Sequence, residues 1–126
     1  MAVLDPGLAG EEYCYLTTTG RLSGLPREIE IWFGLAGTTL YMLSGRGERS
    51  NWVRNLRRTP EVRVRIGDRA FNGTARIVGE ADEDALARRT LLEKYETRYT
   101  GDLSGWGRTA LPVAVDIKGV GPETSA

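Results

Sequence analysis

The chain has 126 residues, 40% apolar and 27% charged, with seventeen basic and seventeen acidic side chains balancing to zero. Such a length holds one domain with one core. Histidine is absent and Cys14 is the single cysteine, which excludes Ser–His and Cys–His nucleophiles, histidine metal sites and an intrachain disulfide. No metal is expected, and difficult chemistry would be borrowed from an organic cofactor.

No apolar run approaches the roughly 18 residues that a membrane span needs. Met1 to Gly10 lacks the basic start and apolar stretch of a signal peptide, so the expected location is the cytoplasm. Residues 1–10 read as a loose arm. Strand signals then run from Glu11 to Thr19, and Gly20 to Pro26 is turn chemistry. Arg27–Leu35 reads as a second strand, with Ile29, Ile31 and Phe33 alternating against Glu28, Glu30 and Trp32. After a turn at Gly34 to Gly37, Thr38–Ser44 completes a predicted antiparallel meander.

Gly45 to Thr59 breaks the β pattern. Ser50 is placed to cap a short helix with Trp52, Val53 and Leu56 on one side, and Pro60 stops it. Val62, Val64 and Ile66 alternate with Arg63 and Arg65. Gly67-Asp68 turns the chain into a strand containing Phe71, Gly73, Ala75 and Ile77, in which Asn72-Gly73 is either a competing turn or a bulge. Ala81–Tyr99 is the one long helix; Asp82, Glu83 and Asp84 complement its dipole, and Ala85, Leu92, Tyr95 and Tyr99 fall on a common face. Gly101 to Gly107 reads as a loop, Leu111–Ile117 as the last strand, and the tail from Gly119 as disordered. The sum is one mainly β (α+β) domain over 1–126: a small barrel of about six mostly antiparallel strands with one short and one long flanking helix. So small a barrel fills its interior with side chains, so a cofactor would lie outside, across strand faces and loops.

Charge is unevenly distributed. Residues 21–76 carry eleven Arg against five acids, and fifteen of the seventeen basic residues are Arg. The planar guanidinium suits phosphate and carboxylate. Arg63 and Arg65 alternate as on any solvated strand face, so no nucleic-acid partner is expected.

Three segments carry candidate chemistry. Thr17 to Arg27 offers glycine-opened amides, the hydroxyl of Ser23, Gly24, and the side chains of Arg21 and Arg27, a set suited to a phosphate group; its plain alternative is a hairpin with Arg in solvent. Ser44-Gly45-Arg46-Gly47 leads into Asn51-Trp52 at a helix start, where amides are anion donors, although no nucleotide fingerprint is present. Tyr95, Tyr99 and Trp106 are an aromatic set that serves either as packing or as a lid over a planar substrate.

Leu16-Thr17-Thr18-Thr19-Gly20-Arg21-Leu22-Ser23-Gly24-Leu25-Pro26-Arg27, with Trp52-Val53-Arg54-Asn55-Leu56 and Thr59-Pro60-Glu61-Val62, resembles the deazaflavin-dependent nitroreductase family of flavin/deazaflavin oxidoreductases. The resemblance covers residues 12–117. It implies a split β-barrel like that of pyridoxamine-phosphate oxidases, and coenzyme F420 as cofactor, a deazaflavin with a phosphate and an acidic tail. It places Arg21 and Arg27 at the phosphate and tail, Ser44 beside the reactive ring, Gly45, Arg46 and Gly47 in the following loop, Trp52 as the aromatic opening the short helix, and Asn55 in a structural role. Leu22 departs from the pattern, standing where many relatives have a basic residue. The implied reaction is hydride transfer from reduced F420 to a quinone, enone or nitroaromatic, a small planar electron-poor acceptor, with Ser44, Tyr95 and Tyr99 as catalytic candidates. An FMN-dependent oxidoreductase on the same barrel and a non-catalytic deazaflavin- or flavin-binding protein are the alternatives. Trp32, expected to be exposed, and the Tyr95–Trp106 region favour a homodimer over a monomer.

Overall fold

The structure is a computed structural model, and it describes residues 5–120. Its elements in chain order are β1 (Cys14–Thr19), β2 (Pro26–Ile31), β3 (Gly34–Ala36), β4 (Thr39–Ser44), α1 (Asn51–Arg58), β5 (Glu61–Ile66), β6 (Arg69–Ile77), α2 (Ala81–Tyr95), α3 (Ser104–Thr109) and β7 (Leu111–Val120). The strands form one antiparallel sheet in the order β2-β1-β5-β6-β7-β4-β3. Its two edge strands, β2 and β3, are consecutive in the chain and separated only by Trp32 and Phe33. The sheet therefore curls until its edges meet at that bend, giving a split half-barrel.

The bend is where the expected strand Arg27–Leu35 divides. Ile29 pairs with Leu16 on one side of the break, and Leu35 pairs with Leu40 on the other. The expected meander is thus two hairpins joined by a corner. At the corner a side chain replaces the ladder, since buried backbone polar groups must be satisfied somewhere. The Tyr95 hydroxyl accepts from Phe33 N at 3.0 Å and donates to Glu12 O at 2.7 Å, with Phe33 O as a second acceptor at 3.1 Å. Lys94 Nζ also donates to Phe33 O, at 3.0 Å.

Alternation fills the interior. Val62, Val64 and Ile66 of β5 point inward against Leu16, Phe33, Leu40, Met42, Val113 and Val115, while Arg63 and Arg65 face solvent. Asn72/Gly73 is a register shift within β6 and not a turn. A Cβ on Gly73 would stand 2.5 Å from Val115 Cγ1 and 2.9 Å from Asp116 O, so the β6–β7 approach requires glycine there.

α2 covers the other face of the sheet with Ala87, Leu91 and Tyr95, packed against Tyr41, Leu43 and Ala114. Its buried stripe differs from the expected one: Ala85 and Tyr99 are exposed, and the helix ends at Tyr95. Leu91 and Leu92 are equally apolar, so periodicity did not fix which one faces inward. The expected loop Gly101 to Gly107 contains α3 instead. Asp102 Oδ1 accepts from Ser104 N at 2.9 Å at its start, and Gly107 lies so close to Leu92 that a Cβ would come within 2.6 Å. Two glycines in six residues had hidden that helix.

Pro6–Gly10 forms a 3-10 turn capped by Asp5, and Arg98 Nη2 donates to Gly10 O at 3.1 Å. β7 continues past Ile117, pairing Gly119 with Asn72 and Val120 with Phe71. The rest of the expected arm and tail, residues 1–4 and 121–126, lies outside the described residues. Among the described residues no helix is long and apolar enough to cross a membrane.

Candidate functional site

A cleft of about 570 Å³ opens on the outside of the barrel between the β1–β2 hairpin and α1. Thr18, Gly20, Arg21, Ser23, Arg27, Asn51, Trp52 and Asn55 are among its lining residues. The hairpin closes tightly: Gly20 N donates to Leu25 O at 2.8 Å, Gly24 N donates to Gly20 O at 2.8 Å, and Gly24 has φ +73°. A Cβ on Gly20 would come within 2.7 Å of Ser23 Oγ, so glycine lets the serine hydroxyl fold back under the turn. There Ser23 Oγ accepts from Leu25 N at 3.1 Å and from Arg27 Nη2 at 3.4 Å.

Arg21 is held by α1. Its backbone amide and Nη1 both donate to Asn55 Oδ1, at 3.1 and 3.0 Å, and Nη2 donates to Asn51 Oδ1 at 3.3 Å. Asn55 is buried and passes its own Nδ2 to Thr18 Oγ1 at 3.1 Å, locking helix to strand. The structural role expected of Asn55 is therefore a positioning role at the cleft. Nothing in the sequence linked it to Arg21, which lies 34 positions earlier.

Arg21 also borders a second hollow of about 610 Å³, lined otherwise by Glu48, Arg49, Arg54, Arg57 and Arg58. Glu48 pairs with Arg57, and its carbonyl accepts from Arg54 Nε at 3.4 Å. One carboxylate among five guanidiniums leaves a surplus of positive charge continuous with the first cleft.

The loop after β4 is organised from within. Ser44 is buried, its Oγ donates to Gly47 O at 2.9 Å, and Ser50 Oγ lies 2.8 Å away and donates to it in turn. The Ser44 hydroxyl thus holds its own loop, in place of the expected contact with a ring or substrate, and Ser50 occupies the N-cap position of α1 without a side-chain cap bond. Gly45 and Arg46 are exposed on this loop, and Gly47 has φ +61°.

Past Gly45 lies a third, aromatic cleft of about 580 Å³, bounded by Tyr13, Glu30, Ile31, Trp32, Leu43, Tyr99, Leu103 and Trp106. An atom placed at the Cβ position of Gly45 would sit 3.7 Å from Trp106 Cδ1, so the loop borders this cleft directly. Trp32 is half-buried, not exposed as expected. Tyr95 stacks on one of its faces, with centroids 4.2 Å apart and planes at 5°. Tyr99 and Trp106 stand at 76° and 85° to it, with centroids at 5.7 and 5.6 Å. Tyr95 itself is fully buried beneath Trp32, and burial pushes its phenol above the ordinary range. A group so enclosed cannot touch a ligand, so its expected catalytic role is replaced by a supporting one. Tyr99 and Trp106 are the accessible members of the set.

Outside the clefts, burial holds Lys94 down to about 8, with Arg98 adding to the effect, and pushes the Cys14 thiol up to about 12. Cys14 is therefore an inert core residue.

The family model for F420H(2)-dependent quinone reductases matches residues 6–118. The chain belongs to that family. It is accordingly an F420-dependent oxidoreductase. It is 29% identical over 106 residues to the F420H(2)-dependent quinone reductase Rv1261c of Mycobacterium tuberculosis, covering 81% of this chain and 69% of that protein. Two solved structures share its fold: the conserved hypothetical protein Rv2991 of M. tuberculosis, at 19% identity and a TM-score of 0.71 over 98% of this chain and 92% of that one, and an F420-H2 dependent reductase (FDR-A), at 21% identity and 0.67 over 91% and 98%.

The donor set fits the family's cofactor. A deazaflavin with a phosphate and an acidic tail calls for pre-oriented guanidiniums and a positive track beyond them. Arg21 is such a braced guanidinium, Arg27 and the Ser23 hydroxyl are further side chains able to meet a phosphate there, and the arginine-lined hollow is of the right charge for an acidic tail.

Proposed function

We propose that the hairpin–α1 cleft holds F420, with Arg21, Arg27 and Ser23 at its phosphate and the arginines of α1 along its acidic tail. When bound, the reduced cofactor supplies the hydride for reduction of a small planar acceptor, a quinone, enone or nitroaromatic. The observation that carries this reading is the bracing of Arg21 by Asn55 and Asn51, which fixes a guanidinium where the two hollows meet. An anchored guanidinium loses little freedom on binding an anion. Trp52 offers an indole at the same cleft for a flat ring to lie against.

The acceptor side of this reading is the aromatic cleft, joined to the cofactor side through the Ser44–Ser50 loop. Its rings exclude water and orient a planar substrate. We take the protein to work in the cytoplasm.

Titration with F420 and, separately, with FMN, followed by ligand fluorescence, tests the reading. FMN has a phosphate but no acidic tail, so Arg49, Arg54 and Arg58 would be idle with it. Micromolar or tighter F420 binding with weak FMN binding is expected; the reverse preference overturns the cofactor assignment. F420 binding without turnover of any quinone, enone or nitroaromatic would make the protein a carrier.

A further inference from the structure

The aromatic cleft has an electrostatic character that its ring composition alone does not convey. Glu30 lies on its rim. The carboxylate accepts from the Tyr15 hydroxyl at 2.6 Å, and among the described residues no Lys or Arg forms an ion pair with it. The nearest cation in register, Arg65, lies over the Tyr15 ring at 4.2 Å and donates to Gly67 O at 3.0 Å. Glu30 therefore presents an exposed carboxylate without an ion-pair partner, bonded to a phenol.

The rings beside it carry the same sign of potential on their faces. Tyr95 stacks on one face of Trp32, and Tyr99 and Trp106 stand nearly perpendicular to it around the cleft. Three accessible aromatic rings with a carboxylate at the rim are the arrangement that attracts a cation through both quadrupole and Coulomb terms. The charge differs from that of the neighbouring cleft: Arg21 and Arg27 outnumber Glu28 on the hairpin–α1 side, while Glu30 is, among the described residues, the one charged residue lining the aromatic side.

We propose that the aromatic cleft is an acceptor subsite selective for planar rings bearing a positive charge, and that Glu30 is the residue that sets this selectivity. The inference rests on the reading above for its role in turnover, but the binding preference belongs to the cleft itself. A cationic substituent also withdraws electrons from a ring, which suits an electron acceptor. An anionic acceptor would meet Glu30 and the ring faces, and would be disfavoured on both counts.

The test uses three probes on one ring: 2-methyl-1,4-naphthoquinone, 1,4-naphthoquinone-2-sulfonate, and the same quinone carrying a trimethylammonium-methyl group. Binding to the full chain without cofactor is followed by quenching of tryptophan emission in a Trp52→Phe background, where both remaining indoles, Trp32 and Trp106, border the cleft. The cationic quinone is expected to bind about tenfold more tightly than the neutral one, with the sulfonate weakest. Glu30→Gln keeps an acceptor for Tyr15; it should bring the cationic and anionic probes several-fold closer and leave the neutral probe unchanged. Trp106→Ala should weaken all three. Equal affinities for the three probes, or an order untouched by Glu30→Gln, would overturn the proposal. The cofactor reading fails separately: the charge order in the binding assay would stand even if F420 did not bind.

Discussion

Arg21 reaches the side chain of Asn55 twice, through its backbone amide at 3.1 Å and its guanidinium at 3.0 Å. A single buried amide oxygen thus fixes both the hairpin and the charge it carries. Asn55→Ala would leave the Arg21 amide and the Thr18 hydroxyl without these partners, a loss of about 1–3 kcal/mol in urea unfolding. It should also weaken F420 binding. Asn55→Asp keeps the acceptor and can accept from Thr18, so it should recover much of the stability but not the affinity, since its charge neutralises Arg21. Unchanged F420 affinity in a folded Asn55→Ala protein would remove Asn55 from the site.

Arg27→Ala should raise the Kd for F420 while leaving kcat at saturation close to that of the parent. The side chain is exposed and its contact to Ser23 is long, at 3.4 Å, so its contribution should fade as salt screens it. Equal Kd values for parent and variant at low ionic strength would show that Arg27 does not meet the cofactor.

Tyr95→Phe separates support from catalysis. The hydroxyl satisfies backbone groups of Phe33 and Glu12, so its removal should cost about 1–3 kcal/mol of stability with kcat little altered. A large fall in kcat at unchanged stability would restore Tyr95 as a proton donor.

Acid should loosen the join between α2 and the sheet. The Arg76 guanidinium, helped by the Tyr41 hydroxyl, lowers the Glu83 carboxyl from its ordinary 4.5 to about 2, and Arg76 likewise lowers Asp116. A depressed carboxylate contributes stability that is complete above its unfolded value and is lost as the pH falls towards its folded one. The urea midpoint should therefore drop between about pH 4.5 and about pH 2, and Glu83→Gln should flatten that limb. An identical acid limb in the variant would show that this cluster does not set it.

Gly73→Ala tests the bulge. The added methyl would meet Val115 Cγ1 at 2.5 Å and Asp116 O at 2.9 Å, and an overpacked core position costs about 1–3 kcal/mol. A variant as stable as the parent in urea would mean that the β6–β7 register relaxes freely.

Strand alternation made most of the barrel legible before the structure: Val62, Val64 and Ile66 face inward as expected, and the turn glycines punctuate the hairpins. What escaped was set by contacts between distant residues. The break after Ile31 depends on a tyrosine that lies 62 positions beyond Phe33, and no local pattern announces it. The Arg21 and Arg27 hairpin was readable because its glycines and basic side chains lie within one turn. Ser44, by contrast, was assigned by resemblance to a contact outside the chain, whereas its hydroxyl bonds Gly47 and Ser50. The rim position of Glu30 was invisible because alternation marks a residue as outward-facing without saying what stands beside it.

Trp32 and Phe33 join the two edges of the sheet, and Trp32 is also a wall of the aromatic cleft. Substrate preference and barrel closure are consequently written into adjacent positions. Replacing Trp32 to admit a new acceptor would disturb the corner and its stacking on Tyr95, whereas Tyr99 and Trp106 stand on the segments after α2 and belong to neither edge strand. Descendants of this chain that acquire new acceptors should therefore diverge first at the two outer rings, and alter the corner only after stability has been gained elsewhere.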